Sequence, residues 1–389
     1  MPINLIILTS YFAIKPRDVK GGISYRYVGL YGSLIKSLLT YSRHSKIFWY
    51  SHKDKSLRVI TSDEFRILRL GMLKAVLVAA VSTFKTGRNM IVLIAYPYAV
   101  PKVEELHEYL LSLFILKILS LSCRVKIIVD NFDPPIEGAY TFSEKHPSVP
   151  FIIYFRTLDL MTLRLASLIM VLSDFWRYYI AKIYHLRTGK ILVCPNGALI
   201  RFIPYNPPKL KGPFTVLYAG SALKVKDIDN LINAIASLKE KGLLINLHIA
   251  GSQKLGIPSW VNIGSYDWPT FVNTLLTASD ICVIPYPPSR MAFYHSLPAK
   301  LFDYMAAGKP IISTNLYEVS RIITAFNCGL VAKDWKEFAL HVEKLYRNRE
   351  LARKLGYNGR IAAEKLFDYD LLAEKLLKQL INAFEAKSR

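Results

Sequence analysis

Cysteine is scarce in this 389-residue chain, and the four that occur, Cys123, Cys194, Cys282 and Cys328, lie far apart. No pair has the close spacing of a zinc site or a redox couple, so a disulfide scaffold is excluded and the four read as small buried hydrophobes in a reducing compartment. Long uncharged runs are also missing. The chain is 52% apolar, yet uncharged apolar stretches such as Ala75–Phe84 and Tyr109–Leu116 fall well short of the roughly 20 residues that cross a bilayer as a helix. The first residues, Met1-Pro2-Ile3-Asn4-Leu5-Ile6-Ile7-Leu8, lack the basic start and cleavage site of a secretory signal and are expected to form the first strand. Acidic residues are the third shortage, 29 Asp+Glu against 51 Lys+Arg for a net charge of +22. Disorder is excluded by the apolar content, and the length suggests two or three domains.

What is present is a repeated α/β pattern. Short β-branched runs at Ile3–Thr9, Lys46–Tyr50, Ile91–Ala95, Val125–Asp130, Leu168–Leu172 and Ile191–Cys194 have the length of strands buried on both faces. Helical spacers long enough for crossovers separate them. A second series follows at Thr215–Tyr218, Ile245–Ala250, Val261–Ile263, Ile281–Ile284, Pro310–Ser313 and Gly329–Val331. Between the series, Pro204 to Pro213 is too rich in proline for helix or central strand and is the expected linker. The pattern predicts two doubly wound parallel-sheet domains, with ligands beyond the carboxyl ends of the strands, in the cleft where the sheets face each other.

Candidate chemistry sits in the loops after strands. Gly21-Gly22 precedes a helical pattern from about Ile23 to Thr40, where backbone N–H groups and the helix dipole favour an anion; a plain tight turn is the alternative. Gly220 and Ser221 end a strand, and Lys224 and Lys226 stand just ahead of the next helix, an arrangement suited to a diphosphate or simply to a solvated turn capped by Asp227 or Asp229. Asp368 and Asp370 read as capping or surface positions, and no metal site is expected. The stretch His295–Ser313 predicts a short helix opened by Pro298 and closed by Gly308. Lys300 lies in its first turn, where the helix dipole disfavours a cation and a bound anion would remove the penalty. Asp303, one turn on, can accept from a ribose diol, or the two can form a solvated i,i+3 pair. Asp130 and Asp133, at a strand end before Pro134, are candidate bases or turn residues.

Lys300-Leu301-Phe302-Asp303-Tyr304-Met305-Ala306-Ala307-Gly308-Lys309-Pro310 resembles a motif of the GT-B-fold glycosyltransferases related to the family-four (group 1) enzymes. Ala166–Ser173, Cys194-Pro195-Asn196-Gly197, Tyr218-Ala219-Gly220 with Lys226, and Phe367-Asp368-Tyr369 resemble further segments of that family, in the same order. The resemblance implies two Rossmann-like domains, 1–205 for the acceptor and 206–368 for a nucleotide-sugar donor, with a helix over 369–389 crossing back to the first. It implies metal-independent transfer of a sugar to a hydroxyl, without a cofactor. Donor contacts would come from Gly21, Gly22, Gly220, Ser221, Lys224, Lys226, Lys300, Leu301 and Asp303. Asp303 stands where the family has a ribose-holding glutamate, and His295 where many members have a second glutamate at the sugar. Ser221 replaces a usual arginine, which leaves Lys226 to neutralise the diphosphate. The catalytic set is then Lys226, His295, Asp133 and Asp130.

The charge suits three kinds of partner: nucleic acid, anionic lipid or anionic substrates. Basic and aromatic residues interleave at Tyr25-Arg26-Tyr27, Arg43–Tyr50 and Arg177-Tyr178-Tyr179, but no nucleic-acid-binding motif accompanies them. Arg66–Lys85 reads as one helix apolar nearly all round, either a buried crossover or a segment inserted at an anionic membrane surface. The expectation is a cytoplasmic transferase, peripheral at the inner face of the cell membrane, acting on a glycan, lipid-linked or protein acceptor. A nucleotide-sugar epimerase of the same fold and a basic nucleic-acid-binding protein are the competing readings.

Overall fold

The computed structural model describes residues 2–19, 25–100, 105–122, 124–142, 146–222, 226–252 and 256–385. Eight strands form the first sheet: β1 (Ile3–Thr9), β2 (Ile47–Ser51), β3 (Ser56–Ile60), β4 (Phe65–Arg69), β5 (Asn89–Tyr96), β6 (Val125–Asn131), β7 (Leu168–Val171) and β8 (Ile191–Val193). Their order is β4-β3-β2-β1-β5-β6-β7-β8. The six strands foreseen pair in parallel, and every residue of β1 and β2 is buried. Such burial requires helices on both faces, which is why these strands read as continuous apolar runs.

β3 and β4 were not foreseen. They extend the sheet antiparallel from β2 and overturn the single helix expected over Arg66–Lys85: Phe65–Arg69 is strand and helix begins only at Met72. Leu70-Gly71 supplies the break, because glycine disfavours helix and Gly71 sits in extended backbone at the N-cap. Among the helices of this half are α1 (Gly32–Tyr41), entered through a π-helical turn at Tyr27–Tyr31, α2 (Met72–Lys85), α3 (Leu106–Leu119) and α4 (Val149–Leu165).

The second sheet contains β9 (Phe214–Ala219), β10 (Ile245–Ala250), β11 (Asn262–Gly264), β12 (Ile281–Ile284), β13 (Ile311–Thr314) and β14 (Gly329–Ala332). Its order, β11-β10-β9-β12-β13-β14, is parallel throughout. Helix α5 (Ile228–Glu240) buries Ile228, Leu231, Ile232, Ile235 and Leu238, the i, i+3, i+4, i+7 stripe of a helix laid on a sheet. Helix α6 (Ala299–Ala306) follows Pro298, and the chain turns out of it at Gly308 with φ +72°. The proline-rich segment carries no helix between Pro204 and Pro213.

Helix α7 (Tyr369–Glu385) lies on α1 and on the π-helical turn. Asp368 caps it, accepting from the Asp370 N–H at 3.0 Å. Asp370 pairs with Lys36 at 3.4 Å and Arg201 at 2.9 Å and accepts from the Ser33 hydroxyl. A Cβ on Gly29 would come within 2.2 Å of the Tyr369 ring, so the missing side chain is what lets α7 approach. Cys194, Cys282 and Cys328 are buried free thiols; Cys123 lies outside the described residues. Among the described residues no helix is long and apolar enough to cross a membrane.

Candidate active site

A cavity of about 710 Å³ opens between the two sheets. Its walls are the carboxyl ends of the strands and the loops that follow them. Val19, Tyr25, Asp133, Trp176 and Asn196 come from the first half of the chain; Gly220, Ser221, Lys226, Gly251, Tyr266, Trp268, Tyr286, Lys300 and Asp303 come from the second.

Two glycines make the floor possible. Gly220, at the end of β9, has φ +141°, and a Cβ there would meet Lys300 Nζ at 2.6 Å. A Cβ on Gly251, after β10, would lie 2.0 Å from the Gly220 carbonyl oxygen. Backbone can therefore reach the cavity where any side chain would block it.

The cationic wall is made by Lys226 and Lys300. Lys226 Nζ donates to Ser221 Oγ at 2.8 Å, so the serine that replaces the family's arginine is held by the lysine beside it. Lys300 Nζ rests 4.4 Å from the Tyr218 ring centroid and 5.1 Å from that of Tyr286. Burial pulls the Lys226 ammonium down to about 8. Lys300 lies well below its ordinary value, first from burial and then from the charge of Lys226. Among the described residues no carboxylate forms an ion pair with Lys300. Two cations are thus crowded at the amino end of α6, a position that the helix dipole makes less favourable still. An anion between them relieves all three costs.

Asp303 is 5% exposed, so the reading of a solvated Lys300–Asp303 pair is corrected. Its carboxylate accepts from the Tyr25 phenol and from Trp268 Nε1 at 3.3 Å. Burial pushes it up to about 7 against the opposing pull of those two hydrogen bonds. The Tyr25 oxygen also accepts the Leu199 N–H at 3.2 Å. Across the cavity Asp133 accepts from the Tyr98 phenol, and burial raises its pKa.

Three expected site residues stand elsewhere. Asp130 is fully buried in a bidentate pair with Arg26, at 2.7 and 2.9 Å, and accepts from Tyr31 at 2.8 Å. It lies on β6 itself, facing the interior, whereas Asp133 lies beyond the strand end. His295 is stacked flat on Phe175, with ring centroids 3.3 Å apart, and does not line the cavity; burial lowers its pKa. Leu301 is a core residue at 0% exposure, one position round the helix from the lysine. Gly21, Gly22 and Lys224 lie outside the described residues.

Several residues near the cavity escaped the sequence reading. Arg26, besides Asp130, donates to the Cys194 and Pro195 carbonyls and to Asn196 Oδ1, and so anchors the Asn-Gly turn. Asn196 Nδ2 in turn donates to the Leu297 carbonyl at 2.9 Å, joining the two walls just ahead of α6. Trp268 and Trp176 were equally unforeseen, and Tyr25 was noted only in the basic–aromatic run Tyr25-Arg26-Tyr27, which is buried. Their signal in the sequence is only that aromatics follow strands or flank the linker turn, which core residues do as well.

Residues 201–362 match the family described as Glycosyl transferases group 1. The match takes in the Gly220–Lys226 and Lys300–Pro310 segments that build the cationic wall. The chain is 23% identical over 193 residues to the capsular polysaccharide biosynthesis glycosyltransferase CapM of Staphylococcus aureus, covering 46% of this chain and 48% of CapM. It spans less than half the length of the curated relatives it matches. In fold it is similar to sucrose-phosphate synthase from Thermosynechococcus elongatus, with a TM-score of 0.66 at 16% identity over 99% of this chain and 100% of that one. It is also similar to HepE of Anabaena solved in complex with UDP, with a TM-score of 0.59 at 14% identity over 98% and 100%. The matched segment is therefore the second half of a GT-B fold. Among its described residues, and among those of the rest of the chain, no cluster of three His, Cys, Asp or Glu side chains is placed to hold a metal ion.

Proposed function

We propose that the protein is a glycosyltransferase that moves a sugar from a nucleoside-diphosphate sugar to a hydroxyl of a glycan, lipid-linked or protein-bound, at the cleft between its sheets. The supporting observation is the pair Lys226 and Lys300, desolvated together at the amino end of α6 on the floor made by Gly220 and Gly251. In glycosyl transfer, negative charge grows on the departing diphosphate, and preorganised cations in a dry site stabilise that charge more than they stabilise the ground state. Asp303 lies one helical turn from Lys300, the position from which a carboxylate meets the ribose. Asp133 is assigned to the acceptor hydroxyl, its burial making it a stronger base than an exposed aspartate.

In this reading residues 1–205 hold the acceptor, 206–368 hold the donor, and 369–389 tie the second unit to the first. The nucleotide sugar is a co-substrate and no cofactor is required. Work at the inner face of the cell membrane is part of the proposal, supported by the net charge of +22.

The test is to measure saturable binding of UDP-, GDP- and ADP-sugars and slow hydrolysis of the donor by the parent and by Lys226→Ala and Asp303→Ala. Weakened binding in both variants is expected. Binding equal to that of the parent removes these residues from the donor site, and a parent that binds no nucleotide sugar removes the reading.

A further inference from the structure

We propose that the outward face of helices α2, α3 and α4 docks the first half of the protein onto an anionic lipid bilayer. The proposal deepens the transferase reading, and rests on it only for the purpose of docking, an acceptor held in the membrane.

The side of α2 that faces away from the sheet presents Leu77, Val78, Val81 and Phe84, bracketed by Lys74 and Lys85. That of α3 presents Leu111, Phe114 and Ile118, with Leu121 just beyond the helix; Phe114 is 64% and Leu121 77% exposed. The two helices pack side by side. Helix α4, which touches α3, adds exposed Ile153 and Met161. A helix lying on a sheet ordinarily turns polar residues outward, and exposed apolar side chains are normally scattered singly. Here the outward stripe of neighbouring helices is apolar at i, i+3/i+4 and i+7 while their inward stripes are already buried.

The charge identifies the occupant. α2, α3 and α4 precede β5, β6 and β7, so their carboxyl ends gather at the amino edge of the sheet, away from the cleft. Lys85, Arg88, Lys117, Arg124, Arg164 and Lys190 stand there, and Lys190 donates to the last carbonyls of α4 at 3.1 Å. The segments 72–88, 109–129 and 160–173 contain no Asp or Glu. An apolar stripe ending in a row of cations fits acyl chains beside anionic headgroups. A second copy would set the same cations against each other. Because the cleft opens at the opposite edge of the strands, docking leaves its mouth free.

The experiment is sedimentation of the full chain with vesicles of phosphatidylcholine alone or mixed with phosphatidylglycerol, alongside the double variant Phe114→Asp/Ile118→Asp. Nucleotide-sugar affinity in solution is measured for both proteins. The parent is expected to pellet with the phosphatidylglycerol vesicles, less so at high salt as the charges are screened. The variant should lose about tenfold or more in binding, since each removed side chain is a large apolar group, with nucleotide affinity unchanged. A parent that stays in the supernatant, or a variant that pellets equally, overturns the proposal. So does a parent dimer that the two aspartates disperse, since the face is then covered by a second copy. Vesicle binding without nucleotide binding by the parent leaves this face assigned and sinks the transferase reading alone.

Discussion

The phenol of Tyr25 donates to the carboxylate of Asp303, 278 positions away in sequence. This bond links the two walls of the cavity and opposes the rise that burial imposes on the carboxyl assigned to the donor ribose.

Burial pushes the Asp303 carboxyl up to about 7 in the folded protein, well above an ordinary aspartate. Between those values the folded state holds a proton that the unfolded state has released, so stability falls as pH rises towards 7 and stays lower above it. Asp303→Asn, which keeps an acceptor for Tyr25 but carries no charge, should raise the melting temperature relative to the parent at pH 8, by a few kcal/mol in stability at most. The gain should shrink as the pH is lowered towards 4. Equal melting shifts at pH 8 and pH 4.5 would show that the carboxylate is not destabilised by burial. Tyr25→Phe, by removing a bond that favours the charged form, should move the same titration upward.

Lys226 carries its charge only below about 8. If it neutralises the donor diphosphate, affinity for UDP falls as pH rises through that value and binding takes up protons. Calorimetry in buffers of different ionisation enthalpy measures the uptake directly. Lys226→Ala should weaken UDP by roughly 10- to 100-fold, the loss of one charge-assisted hydrogen bond of about 1.5–3 kcal/mol, and should abolish the pH dependence above 7. Retention of that dependence in Lys226→Ala would transfer the role to Lys300.

The Arg26–Asp130 pair is 0% exposed on both sides. Truncating either partner strands a buried charge, a loss of about 3–5 kcal/mol. Asp130→Ala is therefore expected to lower the denaturation midpoint sharply, and protein that remains folded should bind nucleotide as the parent does. An Asp130→Ala protein as stable as the parent would contradict the structural role.

Asp133 and His295 should separate in kinetics. Asp133→Asn should reduce turnover about 10²- to 10⁴-fold if it acts as a base, while UDP affinity remains within twofold. His295→Ala, which removes a ring stacked on Phe175 outside the cavity, should cost stability and leave the pH profile of turnover unaltered. A His295→Ala profile that loses a limb would return the histidine to the reaction.

Local pattern was enough to read the strands on which the cleft is built. β1 and β12 lie where the buried apolar runs put them, because a strand covered on both faces must be apolar along its whole length. It was not enough for β3, which was not read, or for β4, whose exposed residues were absorbed into the helix pattern over Arg66–Lys85. Lys226, Lys300 and Asp303 could be singled out because glycine, proline and an early lysine mark a helix start after a strand, a local event. Asp130 and Asp133 could not be told apart, since both fall at a strand end and which carboxylate meets the cavity depends on where the strand stops. Tyr25 and Arg26 stand out locally only as a basic–aromatic run, which does not show that both are buried, and Trp268 carries no local mark at all.

By itself, then, the sequence determined two parallel-sheet units, the proline-rich join between them and the cationic helix start, because periodicity and turn chemistry act over a few residues. Tertiary structure alone decided that Asp130 is held by Arg26 while Asp133 lines the cleft, that His295 stacks outside it, and that the apolar stripes of α2 and α3 lie side by side on one surface. Those outcomes depend on contacts between residues dozens to hundreds of positions apart, and desolvation and pairing at such contacts are settled only when the chain is packed.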